Sequence, residues 1–286
     1  MSPINAFRFS CSDPFDKENE SENEDAIFYC GASPDFLKAA ISDGAGGAGI
    51  FCGDWARHLV NNQPDKPFLS KDKAEEWFLG VSKNFYDSKV TQLDASDAFI
   101  VEKFHNDGSY ATLVLIWWDT LRAELYYWGH GDSTLFLFEK NGDRSIPKLI
   151  FPIGEQSSLN DPPKLFNWNK KLDQRIQVEK KILKSDDQLI LTTDSISRWL
   201  ILQLMLLSPM EMPTLLGEQL YSSVSKEGEL LESLNLRKEF NSTTALLEFI
   251  ERGLQCPYII IRKNLSDRIE RAELEKDDLS ILMLTK

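Results

Sequence analysis

Leu37 to Gly49, LKAAISDGAGGAG, decides how this chain is read. An apolar run stops at Asp43, and a glycine-rich turn follows. In physical terms this is a buried strand that delivers one carboxylate to a sheet edge, with glycines letting backbone carbonyls approach whatever the carboxylate holds. A metal ion is the natural guest. Three other segments set an acid at the end of an apolar strand or just ahead of one: Leu189 to Asp194 (LILTTD), Tyr126 to Asp132 (YYWGHGD), and Asp277-Asp278 before Leu279 to Leu284. The expectation is that some of these carboxylates converge on a two-metal hydrolytic centre.

Around that stretch, size and composition set limits. A chain of 286 residues, 42% apolar and 11% aromatic, can bury a substantial core, and it reads as one soluble domain over residues 1–286. The formal charge of -13 argues against nucleic acid or an anionic membrane as partner, because a polyanion is repelled. Lys164 to Lys184, the one mildly basic stretch, is interleaved with acids and reads as a solvated face. Cys11, Cys30, Cys52 and Cys256 show no C-x-x-C spacing, so ordinary thiols in a reducing compartment are expected rather than a zinc site. No stretch reads as a signal peptide and no run reaches ~18 apolar residues, which makes a cytoplasmic location the expectation.

Taken in order, Asn5 to Ser10 alternates like a first strand, and an acidic loop runs from Asp13 to Asp25. Strands are expected over Ala26 to Gly31 and Leu37 to Ser42, and a helix over Phe51 to Val60 with Trp55, Leu59 and Val60 on one face. Lys71 to Val90 spaces Trp77, Val81 and Phe85 as a helical core stripe. Tyr110 to Trp118, Arg122 to Trp128 and Thr134 to Phe138 are separated by short breaks, which predicts three successive antiparallel strands. Ile146 to Trp168 contains four prolines and reads as a long ordered loop. Beyond it come a strand over Leu189 to Thr193, a helix over Ser195 to Leu207, helical stretches over Leu230 to Leu236 and Thr243 to Leu254, a charged helix over Ser266 to Glu275, and a closing strand over Ser280 to Leu284. Antiparallel links with helices between and after the strands indicate an α+β fold.

Hard divalent cations want oxygen ligands, and magnesium takes only one or two carboxylates alongside several waters. Two such ions about 4 Å apart can share a carboxylate and a water and clamp a phosphate for in-line attack. Asn23-Glu24-Asp25, Asp43-Gly44 with Gly46-Gly47, Gly131-Asp132-Ser133, Thr193-Asp194 and Asp277-Asp278-Leu279-Ser280 occur in this order. Together they resemble the metal-dependent protein phosphatases of the PPM, or type 2C, family. Gly53-Asp54-Trp55-Ala56, the Phe151-Pro152 loop ending near Pro162-Pro163, and Trp199-Leu200 after Asp194 resemble its divergent bacterial branch. The resemblance implies a four-layer αββα sandwich of two antiparallel sheets flanked by helices. It also implies a phosphoserine and phosphothreonine hydrolase that uses two ions of Mn2+ or Mg2+, with attack by a bridging metal-bound hydroxide. By motif position Asp43 would bridge both ions, the carbonyl of Gly44 would bind the first, and Asp194 and Asp277 would hold the second. Glu24 and Asp25 would act largely through bound waters, Asp25 the closer. The implied partners are a phosphoprotein substrate and the kinase that modifies it.

Departures from the family pattern are as informative. Type 2C enzymes usually carry a phosphate-binding arginine five residues before the first aspartate, and Glu20 stands there; Arg8 on the preceding strand is the candidate substitute. Many relatives have a histidine directly after Asp-Gly, where this chain has Ala45, so leaving-group protonation would fall to a bound water or to His130, whose unperturbed pKa suits the task. A third-metal site would need Asp132 and an aspartate four residues after Asp194, and that residue is Arg198. Two ions, not three, are expected.

Each of these residues also has a plainer reading. Asp43-Gly44 is a common turn dipeptide, Asp194 could cap a helix, Asp277 and Asp278 could be surface charges, and Asp132 could be structural. The rivals to the enzyme are a catalytically weak or inactive phosphatase-fold module that binds a phosphoprotein, and a hydrolase acting on a small phosphoester such as a nucleotide.

Overall fold

The computed structural model describes residues 4–12, 23–33, 36–47, 49–93, 97–152, 163–172, 178–207 and 238–285. They group into two compact units, one of Met1–Asn23, Asp132–Pro163 and Leu183–Lys286, the other of Glu24–Gly131 and Lys164–Ile182. Each is built on a five-stranded sheet whose neighbouring strands are all antiparallel. With six helices among the described residues, the fold class is α+β, as the sequence indicates.

In the second unit the sheet comprises β2 (Ala26–Ser33), β3 (Phe36–Ser42), β5 (Leu113–Asp119), β6 (Glu124–His130) and β10 (Glu179–Ile182), in the order β10-β6-β5-β3-β2. A short ladder of β4 (Tyr110–Ala111) with β9 (Phe166–Asn167) adjoins it. Helices α1 (Cys52–Asn61), α2 (Lys71–Val90) and α3 (Ala98–Asn106) supply the other half of the core. Trp55 and Leu59 of α1, Phe78, Val81 and Phe85 of α2, and Phe104 of α3 pack with Leu113, Leu115, Trp117 and Trp128 of the sheet. The indole of Trp55, fully buried, donates to the carbonyl of Phe166 at 3.2 Å, which satisfies its one polar atom inside an apolar cluster.

The sheet of the first unit comprises β1 (Asn5–Cys11), β7 (Thr134–Asn141), β8 (Arg144–Phe151), β11 (Gln188–Thr192) and β12 (Leu279–Thr285), in the order β1-β12-β11-β7-β8. Phe9, Phe136, Phe138, Ile190, Ile281 and Met283 pack against α4 (Asp194–Leu206) and α5 (Thr243–Leu254), with side chains of α6 (Tyr258–Glu270) at the margin. Leu135, Leu189, Leu191, Leu282 and Leu284 point to the opposite face and are equally buried. Burial on both faces explains why β11 and β12 read as unbroken apolar runs rather than alternating ones. Helix starts follow local chemistry: the hydroxyl of Ser70 accepts from the Lys73 amide, the carboxylate of Asp97 from Ile100, and the hydroxyl of Ser242 from Ala245.

Four expectations need correction. β6 and β7 do not pair: β6 ends on His130 opposite Leu113, whereas β7 pairs with β8 and β11 in the other sheet. Gly131, at φ 100°, turns the chain between them. Residues 146–151 form most of β8 despite Pro147, because β8 is an edge strand and the proline sits at a register shift opposite Leu137/Phe138. α6 begins at Tyr258, directly after Pro257 and well before the expected start at Ser266, and ends at Glu270, short of the expected end at Glu275. α3, with Asp97 as its cap, was not anticipated. The helix expected over 230–236 and the position of Glu20 lie outside the described residues. No helix among the described residues is long and apolar enough to cross a membrane.

Candidate metal centre

In the first unit, strand order brings three carboxylates to one sheet edge. β11 is antiparallel to both its neighbours, so its C-terminal end lies beside the N-terminal ends of β7 and β12; Thr192 is paired with Thr134 on one side and Ile281 on the other. Asp194 leaves that end of β11, Asp132 precedes β7 by two residues, and Asp277 precedes β12 by two. The backbone locks this edge: Thr193 N–H donates to the Ser280 carbonyl and Ser280 N–H to the Thr193 hydroxyl, both at 3.1 Å. Asp194 is the first residue of α4, with Thr193 in the capping position; one of its oxygens accepts from Ser195 N–H at 2.6 Å.

Crowding of like charge is evident in the proton affinities. Burial, and then the charge of Asp194, pushes the Asp277 carboxyl up to about 7, with Asp278 and Glu275 adding to it. The Asp132 carboxyl is pushed up to about 6 by the same two causes in the same order. One Asp132 carboxylate oxygen is buried and has no hydrogen-bond partner among the described residues. Arg198, one turn along α4, is the cation of this edge, 2.5 Å from Glu275 and 4.0 Å from Asp194. Glu275 is not singled out in the sequence, because it is one of four acids between Glu273 and Asp278 and nothing local sets it apart. Asp278 N–H donates to Asp277 Oδ1 at 2.8 Å; of the two, Asp277 is the more exposed and Asp278 is half-buried. Arg8 is on β1 opposite Leu282, with an exposed side chain.

The second unit gathers the other candidates around the turn after β3. Asp43 exchanges hydrogen bonds with Thr112, its N–H donating to the hydroxyl at 2.9 Å and its carbonyl accepting from the Thr112 amide at 2.8 Å. Gly44 N–H donates to the Glu24 carbonyl at 3.2 Å, and Gly44 pairs with Ala111 as an isolated bridge. Backbone contact requires glycine at Gly44, whereas at Gly46 only the end of a flexible side chain stands in the way. A Cβ on Gly44 would lie 2.6 Å from the Cys52 backbone, and one on Gly46 would lie 2.1 Å from the Glu24 carboxylate. The Gly44 carbonyl, accepting from Gly46 at 3.0 Å, keeps a second lone pair. Asp25, next to Glu24 in sequence, is buried at the foot of β2. His130 differs from expectation: burial first, and then the charge of Lys164, pushes its imidazolium down to about 4, and its ring stacks edge-on against Phe166. At neutral pH it is uncharged, so it carries no proton of the kind a general acid gives up from an imidazolium.

Oxygen donors alone furnish both groups, the chemistry that manganese and magnesium prefer. No set of three or more His, Cys, Asp or Glu among the described residues forms a ready-made metal cage. The fit therefore rests on one or two carboxylates per ion with waters completing the shell, which is the usual demand of magnesium. Excess negative charge and a buried carboxylate oxygen without a partner at the Asp194 edge, and a glycine-lined carbonyl beside Asp43, suit such ions.

No family model matches the chain, and no curated protein sequence does. Among solved structures, it is similar to RsbX in complex with magnesium, at 15% identity over 100% of this chain and 96% of that one, TM-score 0.48. It is also similar to the S. agalactiae serine/threonine phosphatase, at 14% identity over 99% of both chains, TM-score 0.44. The phosphatase domain of SpoIIE from Bacillus subtilis is 16% identical over 99% of this chain and 91% of that one, TM-score 0.39. Bacterial PPM-type serine/threonine phosphatases are among the solved structures that this chain is similar to over nearly its whole length.

Proposed function

We propose that this protein is a metal-dependent protein phosphatase that removes phosphate from phosphoserine or phosphothreonine in a phosphoprotein, with the modifying kinase as a functional partner. The observation that carries the reading is the placement of Asp132, Asp194 and Asp277 at one edge of the β7-β11-β12 ladder, where Asp132 and Asp277 are protonated more readily than ordinary carboxyls. Like charges crowded in this way are stabilised by a cation. Asp194 and Asp277 would hold one ion of Mn2+ or Mg2+; Asp43, the Gly44 carbonyl and, at closer or longer range, Asp25 and Glu24 would hold another. When bound, these ions would supply Lewis-acid stabilisation of the phosphoryl group and an activated water.

The chain's own contributions follow from its geometry. The paired hydrogen bonds of Thr193 and Ser280 hold the backbones that carry Asp194 and Asp277 at adjacent strand ends. Thr112 does the same for the backbone of Asp43. His130, neutral in its apolar niche, leaves leaving-group protonation to solvent. The reading is tested with a phosphoserine peptide and manganese. Turnover that requires the metal and disappears in Asp43→Asn and Asp194→Asn is the expected result; no turnover on any phosphopeptide, with metal bound, would overturn it.

A second reading, a phosphoprotein-binding module without turnover, is favoured by Arg198, which already neutralises part of the acidic edge through Glu275 and Asp194. Stoichiometric retention of a phosphopeptide with no release of phosphate would select it.

A further inference from the structure

The cleft between α1 and α2 carries positive charge in a chain whose formal charge is -13. It measures about 260 Å³ and is lined by Asp54, Arg57, Asn61, Lys89 and Gln92, with His58 and Phe85 also facing it. Two cations share one carboxylate here. Arg57 lies 2.7 Å from Asp54 Oδ1, and Lys89 holds Asp54 Oδ2, so these two side chains carry the positive charge of the cleft. His58 does not add to it at neutral pH, because burial and the nearby Lys89 lower its pKa against the opposing hydrogen bond to the Val81 carbonyl.

Lys89 is the unusual member. Its side chain is only 13% exposed, and its ammonium lies over the rings of Phe51 and Phe85, 5.0 and 5.9 Å from their centroids. Of its three N–H groups, one reaches Asp54 and one Gln92 Oε1 at 3.3 Å; among the described residues the third has no hydrogen-bond acceptor. A cation already paired with Asp54 but with a donor still open can take a second oxyanion into its shell. Gln92 accepts through its oxygen and so has its amide nitrogen left to donate, and the Asn61 amide stands on the same rim. Ammonium, guanidinium and two amides form a donor set that suits a tetrahedral oxyanion better than a planar carboxylate.

We propose that this cleft is a phosphoryl-binding site, separate from the acidic residues described above, that takes either free orthophosphate or a phosphorylated side chain. Its floor reaches the turn that carries Asp43 through the chain itself. Phe51, under Lys89, occupies the capping position of α1 at φ 56°, and Cys52 and Gly53 back directly onto Gly44. Occupancy would therefore hold α1 against the turn that carries Asp43.

The test uses the full-length protein stripped of metal with a chelator, so that the outcome does not depend on the phosphatase reading. Inorganic phosphate is titrated while the side-chain amide signals of Asn61 and Gln92 are followed by NMR. Saturable shifts are expected, and Arg57→Gln should weaken the apparent affinity about tenfold, the loss of one charge-assisted hydrogen bond. Lys89→Gln should abolish the shifts; Arg57 is half-exposed and its variant serves if Lys89→Gln fails to fold. A phosphoserine peptide in a parallel titration identifies the source of the phosphoryl group: tighter saturation by peptide or by free ion assigns the site to that ligand. Shifts that never saturate, that chloride reproduces at matched ionic strength, or that Arg57→Gln leaves unchanged would overturn the proposal.

Discussion

Thr193 and Ser280 clasp each other through two 3.1 Å hydrogen bonds, Thr193 N–H to the Ser280 carbonyl and Ser280 N–H to the Thr193 hydroxyl, and both residues are wholly buried. This clasp joins the end of β11 to the start of β12, one residue from Asp194 and three from Asp277. Thr193→Val keeps the shape but removes the hydroxyl acceptor and strands the Ser280 amide. A loss of ~1–3 kcal/mol in denaturant-unfolding stability is expected, together with weaker manganese binding by calorimetry, whereas a purely local effect would leave manganese affinity unchanged.

Asp277 makes stability depend on pH in a defined direction. Its folded pKa, about 7, lies above that of an unfolded carboxyl, so the folded state binds the extra proton and its advantage is complete at low pH and lost as pH rises to about 7. In metal-free protein Asp277→Asn should therefore raise Tm near pH 8 and do little near pH 4. Scanning calorimetry at the two pH values checks the sign. Manganese competes with the same proton, so its affinity for the unsubstituted protein should fall as pH drops from about 7 toward about 6, where Asp132 also protonates.

The two glycines of the Asp43 turn should fail differently. Alanine at Gly44 collides with the Cys52 backbone at 2.6 Å, which cannot move aside, so Gly44→Ala should cost ~1–3 kcal/mol of stability. Alanine at Gly46 meets the end of the Glu24 side chain, which can swing away. Gly46→Ala should keep nearly full stability while altering metal affinity, measured by manganese titration beside a melting curve.

Arg198→Ala removes the cation that lies against Glu275 and Asp194. The metal-free protein should become less stable, because Glu275 and Asp194 lose their counter-charge, yet manganese should bind more tightly. Reduced manganese affinity in this variant would show that Arg198 orients Asp194 rather than competing with the ion.

His130 should remain neutral down to about pH 4. Its imidazole proton signals, followed by NMR, should show no titration step between about pH 6 and 8, and His130→Gln should leave the pH profile of turnover unmoved across that range.

Much of this arrangement is local and so could be read in one dimension. An apolar strand that stops at an acid, a glycine turn after Asp43 and the Trp77/Val81/Phe85 stripe are short-range patterns, and β3, α2 and β12 lie close to where periodicity puts them. Which strands would be neighbours was not legible, because pairing joins residues far apart in sequence; the short link after His130 reads as a hairpin, yet β7 pairs with β8 and β11. Asp132 and Asp277 flank Asp194 only because β11 lies between β7 and β12. The protonation of His130 and Asp277 belongs to the tertiary structure as well, since it is set by burial and by charges brought close through folding. From the order of its residues the chain determined which groups could do chemistry; three-dimensional packing decided which of them share an edge and what charge each bears there, because desolvation and Coulomb interactions depend on distance through space and not along the chain.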